Sequence, residues 1–184
     1  MRSVIVTPPS IQPIDRDALA DLHLKVDYSV DDNLIDLQIK AATQYVEQLT
    51  GQSLITQTRS VSLDYFPLCD TITLPNGPLQ SVTIKYQDED DNEQTLSSSE
   101  YWVDTSSRRI VVKDTWPVTK DRPGAVTITY LAGFGASADS VPSPLREAVL
   151  IVTGWMYTNR DQPVPHDLVL PLIGTYVVVQ DAFY

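Results

Sequence analysis

The stretch YLAGFGASADSVPSPLREAVL, Tyr130–Leu150, reads as a strand, a glycine turn and a helix. Strand–GxG–helix is how many nucleotide-binding loops begin, so this stretch separates a phosphate cradle from a plain joint. A cradle needs backbone N–H groups aimed at the ligand from a turn that opens directly into a helix. Here Gly133 and Gly135 are followed by ASADSVPSP before the helix-forming residues. No third glycine stands at the dinucleotide spacing, and no Gly-Lys-Ser/Thr follows. With Ser143 as N-cap, the first helical residue is Pro144, which has no N–H to offer. The reading is a strand end that turns sharply on glycine and leads to a helix.

Downstream, that helix continues as PLREAVLIVTGWMYTNR. Leu145, Ala148, Val149, Ile151, Val152, Trp155 and Met156 leave it little polar surface. A helix apolar nearly all round is covered on more than one side, and part of that cover is expected from another subunit. The segment from about His166 to Tyr184 is again apolar and reads as a docking tail. Pro163, Pro165 and Pro171 predict that it stays extended and distinct from the helix. TYVVVQ would then add as a strand to an edge of its own sheet or a partner's. The candidate partner-binding residues are Trp155, Leu170, Leu172, Ile173, Tyr176, Val178, Phe183 and Tyr184. The alternative is a last strand packed on the chain's own core.

Upstream, residues 1–14 hold Pro8, Pro9 and Pro13 and read as an extended arm. Asp15 caps a short helix through about Leu24. Ser29 or Asp31 caps the next, DDNLIDLQIKAATQYVEQLTG, where Leu34, Ile35, Ala41, Ala42, Tyr45, Val46 and Leu49 repeat at the helical period. Gly51 ends it where a C′ glycine belongs. The pattern then changes to β-branched and aromatic runs: SLITQTRSVSLDYF, TITLP, LQSVTIKYQ, YWVDTSSRRIVVK and GAVTITYLAG. Asn76-Gly77-Pro78, the acidic run DEDDNE and WPVTKDRPG separate them, which predicts a meander of about five to seven strands. Helices, then strands, then a helix and tail indicate an α+β fold: a helical core with an inserted antiparallel β-meander. The expected organisation is one domain: arm and helices over 1–52, a β-rich insertion over 53–135, and the long helix with its tail over 136–184.

The chain has 184 residues, of which 42% are hydrophobic, enough for a core. Thirteen Lys+Arg against 24 Asp+Glu give a net charge of −11, which argues against a free-standing nucleic-acid binder. The single cysteine, Cys69, excludes a disulfide framework within one chain and reads as a half-buried structural thiol. His23 and His166 lie far apart with no HExxH, so no metal site is expected. No GxSxG elbow marks any serine. Asp88–Glu93 lacks the EF-hand glycine and reads as a solvated hairpin tip. No enzymatic activity and no cofactor are expected. The N-terminal apolar run is too short for a signal peptide, and no stretch approaches the roughly 18 apolar residues of a membrane span. Arg108, Arg109, Lys113, Lys120 and Arg122 cluster, while Asp15–Asp36 is acidic, so copies could pair head to side.

Three stretches together resemble a known family. They are DDNLIDLQIKAATQYVEQLTGQSLITQT, LPNGPLQSVTIKYQDEDDNEQTLSSSEYWVDTSSRRIVV and WPVTKDRPGAVTITYLAGFGASADSVPSPLREAVLIVTGWMYTNRD. In this order and spacing they resemble the head-tail connector (adaptor, or head-completion) proteins of long-tailed bacteriophages and prophages, over residues 15 to 162. The tail after Pro163 departs from that pattern. The resemblance implies a structural virion protein without catalytic residues. It would sit in the neck after viral genome packaging, as a ring of about twelve copies beneath the portal protein. There it would extend the DNA channel and dock a tail-completion or stopper protein, having waited in the host cytoplasm before assembly. An acidic lumen suits a channel that must not hold phosphates. Two alternatives stay open: another neck or tail-completion protein, and a monomeric hydrolase or binding module.

Overall fold

The computed structural model describes residues 1–19 and 31–178. The fold is α+β, as the segregation of helical and β-rich sequence predicts. The chain forms two compact units. One, the strand unit, takes Met1–Pro8 and Thr56–Gly133; the other, the helical unit, takes Pro9–Ile55 and the chain from Phe134 onward.

In the strand unit, a five-stranded antiparallel sheet has the order β1 (Val4–Thr7), β2 (Gln57–Leu63), β8 (Val126–Ala132), β4 (Leu79–Gln87), β5 (Glu93–Thr95). A three-stranded sheet has the order β3 (Thr71–Thr73), β7 (Arg109–Val112), β6 (Tyr101–Asp104). The last strand in sequence, β8, is thus central to the larger sheet. Its alternate residues Val126, Ile128, Tyr130 and Ala132 are buried, as a strand with one core face requires. Ile128 stands in register with Val61 of β2 and Ile84 of β4, and all three are fully buried. Ile72 and Ile110 of the smaller sheet join the same core.

Two turns of this unit are held by carboxylates. Asp88 Oδ1 accepts the N–H groups of Asp90 and Asn92 at 3.1 and 2.9 Å, and Oδ2 accepts from Gln94 at 2.8 Å. The acidic run is therefore a hairpin tip. Asp104 accepts the N–H groups of Ser106 and Ser107 and both of their hydroxyls.

The helical unit is built on α2 (Asp32–Thr50) and α3 (Ser143–Thr158), which pack together. Ile35, Ile39, Ala42 and Val46 form the buried stripe of α2, facing Leu145, Ala148, Val149 and Val152. Gly51 ends α2 at φ 66°, the left-handed conformation that glycine adopts without strain. The buried hydroxyls of Thr43, Thr50 and Thr153 donate to carbonyls one turn back, so none is left unsatisfied. Glu47 of α2 accepts the Leu54 N–H at 2.7 Å. Leu54 in turn accepts from Phe134, which brings the chain leaving α2 beside the chain entering α3.

Several expectations change. The first part of the arm is an edge strand, β1. Of the first helix, only α1 (Arg16–Leu19) is described; its continuation to Leu24, with His23, and Ser29 lie outside the described residues. Asp31 precedes α2 without a side-chain cap bond. Ser143 is the first residue of α3 rather than its cap; Pro142 precedes it, and two prolines fit a first turn whose N–H groups have no intrahelical partner. Cys69 is exposed, not half-buried, with its Sγ 3.2 Å from the Thr71 carbonyl oxygen.

The tail also differs. It is not extended through Pro171: α4 (Leu170–Ile173) and a single 3-10 turn, Gly174–Tyr176, follow instead. Pro171 sits in the first turn of α4, where its missing N–H costs nothing.

Candidate interaction surfaces

The glycine joint is settled by its hydrogen bonds. The Gly133 N–H donates to the Pro78 carbonyl at 2.9 Å and the Phe134 N–H to Leu54 at 3.1 Å. The N–H groups of Ser140 and Val141 close the 3-10 turn Ala138–Ser140. These four donors are spent on backbone carbonyls and are not offered to a phosphate. A Cβ on Gly135 would stand 2.4 Å from the Ser140 side chain, so glycine there serves close packing. Among the described residues, no three His, Cys, Asp or Glu side chains gather as metal ligands.

The predicted partner-binding residues divide into three groups. Ile173 is fully buried in the helical unit's own core, beside Val169. Leu170, Leu172 and Tyr176 are half-buried and pack on that core, and the Val178 N–H donates to the Thr50 carbonyl at 2.9 Å. Gln52 Nε2 adds a bond to the Tyr176 carbonyl. Trp155 stands apart: it is half-buried and is not among the side chains that pack on the core. Phe183 and Tyr184 lie outside the described residues.

Trp155 lines an open hollow of about 390 Å³ with Ile151, Gly154, Tyr157 and Leu168. Its Nε1–H is buried without an acceptor. A buried donor without an acceptor is costly, so among the described residues this edge of α3 is a candidate for further cover. At its rim the Tyr157 hydroxyl donates to Asp31 at 2.7 Å, and Arg160 lies 3.6 Å from the same carboxylate. That bond to Asp31 holds the Tyr157 proton and raises its pKa.

The cluster of basic residues is not a free face. Arg108 is buried, with Nη1 unpaired, and desolvation lowers its pKa. Arg122 pairs with Asp91 at 2.8 Å, and Arg109 lies 3.9 Å from Asp104. Lys120 donates to the Glu89 carbonyl, and Lys113 donates to the Ser99 carbonyl and lies over the Trp102 ring. In the acidic N-terminal region, Arg16 similarly reaches Asp17, Asp32 and Asp36. Of the five basic residues, Arg109 and Arg122 are thus paired with carboxylates inside the strand unit.

Sequence reasoning missed the apolar surface of the strand unit. Val4 and Val6 of β1 are 63% and 58% exposed, Trp102 of β6 is 58% exposed, and Tyr65 and Leu68 are also exposed. The signal was present in VIV and YWV, two apolar runs whose strands prove to be sheet edges.

This fold has solved counterparts. The chain shares it with chains of gene transfer agent particles. A chain from the neck of an empty GTA particle computed with C6 symmetry superposes with a TM-score of 0.83 at 24% identity, covering 98% of this chain and 97% of that one. A chain from the virion of a native gene transfer agent particle gives 0.81 at 24% identity, with the same coverage. One from the neck of a native GTA particle computed with C12 symmetry gives 0.75 at 23% identity, again over 98% and 97%. No protein-family model and no curated protein matches the sequence.

Proposed function

We propose that the chain is a structural protein of a phage-like virion neck, a head-tail connector. In this reading about twelve copies form a ring beneath the portal protein, extend the DNA channel and present a docking surface to the tail or a stopper protein. DNA passes without specific binding, and the chain carries no catalytic residues and no cofactor. Before assembly it stands in the host cytoplasm. The observation that carries the reading is end-to-end likeness, over 98% of this chain, to chains from ring-symmetric necks. The unpaired Trp155 N–H and the exposed edges β1 and β6 support it, because each is a surface that a neighbour would complete.

Removing the gene from its phage or prophage tests the reading. The expected product is DNA-filled heads that carry portals but no tails, restored by supplying the chain in trans. Complete, infectious particles without the chain would refute it. Finished heads beside malformed free tails would favour a tail-completion role.

A further inference from the structure

The strand unit has two exposed apolar edges, on different sheets. β1 ends the five-stranded sheet and β6 ends the three-stranded one. Every residue of β1 is exposed, and Val4, Ile5 and Val6 are not core residues. What holds β1 is its pairing with β2, aided by Arg59 Nε donating to Ser3 and Ser3 donating to Asn76. On β6, Tyr101 is buried while Trp102 and Val103 are exposed. An uncovered edge invites another strand, and proteins usually blunt it with charge. Neither β1 nor the Tyr101–Val103 run carries one.

The two edges also match each other. Both are four residues long, and both present large apolar side chains. Exposed Arg2 precedes β1, and no acidic residue occurs before Asp15. β6 has an acid at each end, exposed Glu100 before it and Asp104 as its last residue. Arg2 would therefore meet a carboxylate whether the strands ran parallel or antiparallel. Because the two surfaces differ, their pairing is heterologous, and heterologous contacts build rings.

We propose that β1 of one copy lies along β6 of the next, with Trp102 as the central buried side chain of the contact. Tryptophan in such a position typically dominates an interface. This rests on the ring reading above and names the contact that would close the ring.

The test uses full-length chains with Cys69→Ala, carrying Val103→Cys together with either Val4→Cys or Val6→Cys, so that both strand directions are sampled. Necks assembled from these chains are oxidised and run on a non-reducing gel. A ladder of cross-linked multimers from one of the pairs, absent from each single-cysteine control, is the expected result. Rings that assemble without any ladder overturn the contact and leave the ring reading standing. Chains that never form rings, with or without substitution, overturn the ring reading and the contact with it. A second measurement avoids cysteine. Trp102→Ala and Val6→Lys alter exposed side chains, so the monomer's circular dichroism should be unchanged while ring formation falls at least tenfold. Unchanged ring formation in both variants overturns the contact.

Discussion

The two units solve the same burial problem differently. The strand unit closes its core by alternation: β8 hides one face, and its neighbours β2 and β4 place Val61 and Ile84 against Ile128. Its surplus apolar residues are pushed to the sheet edges. The helical unit starts from a helix with too much apolar surface for one neighbour. It covers α3 with α2 and then with the tail, whose Val169 and Ile173 are fully buried. Even so, Trp155 stays half-buried with its N–H unpaired. Among the described residues, both units thus bury their cores and leave particular apolar side chains at the surface, and those positions could not be located from apolar content alone.

That contrast can be broken most severely at the tail. Deleting residues from His166 onward removes Val169 and Ile173 from the helical core. Losing one such side chain typically costs about 2–5 kcal/mol, so losing both, with α4, should unfold α2 and α3. Hydrogen exchange in those helices should then approach unprotected rates. A truncated chain with wild-type protection would show that the tail is dispensable to the core and restore a purely docking role.

Ile128→Ala attacks the other unit at its centre and should cost about 2–5 kcal/mol in denaturant unfolding. Tyr130→Phe should cost about 1–2 kcal/mol, because its hydroxyl donates to the buried Pro75 carbonyl at 2.8 Å. Burial raises the Tyr130 pKa. The neutral phenol is therefore favoured in the folded chain. The stability it contributes is present below the unfolded value near 10 and is lost as pH rises through the folded one. Tyr130→Phe should flatten that alkaline loss, and an identical alkaline limb in both proteins would contradict the burial.

Trp155→Ala sharpens the comparison. A fully buried tryptophan would cost about 3–5 kcal/mol. Half-buried and outside the core, it should cost about 1 kcal/mol in the monomer, with the larger effect on assembly. A loss of monomer stability in the larger range would place Trp155 in the core after all. The smallest effect is expected at Asp104, whose carboxylate lies well below the usual range because Ser106 and Ser107 donate their hydroxyls to it. Its contribution is present above the unfolded value of about 3.9 and fades as pH falls below it. Asp104→Asn should lower the plateau of a melting-temperature curve slightly near neutrality and make its acid limb shallower, so that the two proteins converge as pH falls.

Local signals were legible in the sequence, and relations between distant segments were not. The stripe Ile35–Val46 and the glycine at 51 announce α2 because period and cap are local properties. β8 is just as plain, but its place between β2 and β4 depends on pairings tens of residues apart. β5 left no mark, since Glu93, Gln94 and Thr95 are all exposed and polar. The tail misled because proline was weighed as a helix breaker, although Pro171 occupies the first turn where it is tolerated. At the candidate surfaces, Trp155 is legible because α3 is apolar nearly all round. The edges β1 and β6 did not, because an apolar strand shows its exposure only once the sheet order is known.

The central claim is that the chain is a ring-forming neck protein. Imaging the neck of purified particles by electron cryomicroscopy, at a resolution that traces side chains, tests it most directly. The account predicts a closed ring of this chain between portal and tail, with α2, α3 and the two-sheet strand unit repeated around the channel. A neck whose density between portal and tail is fully occupied by other chains would contradict it.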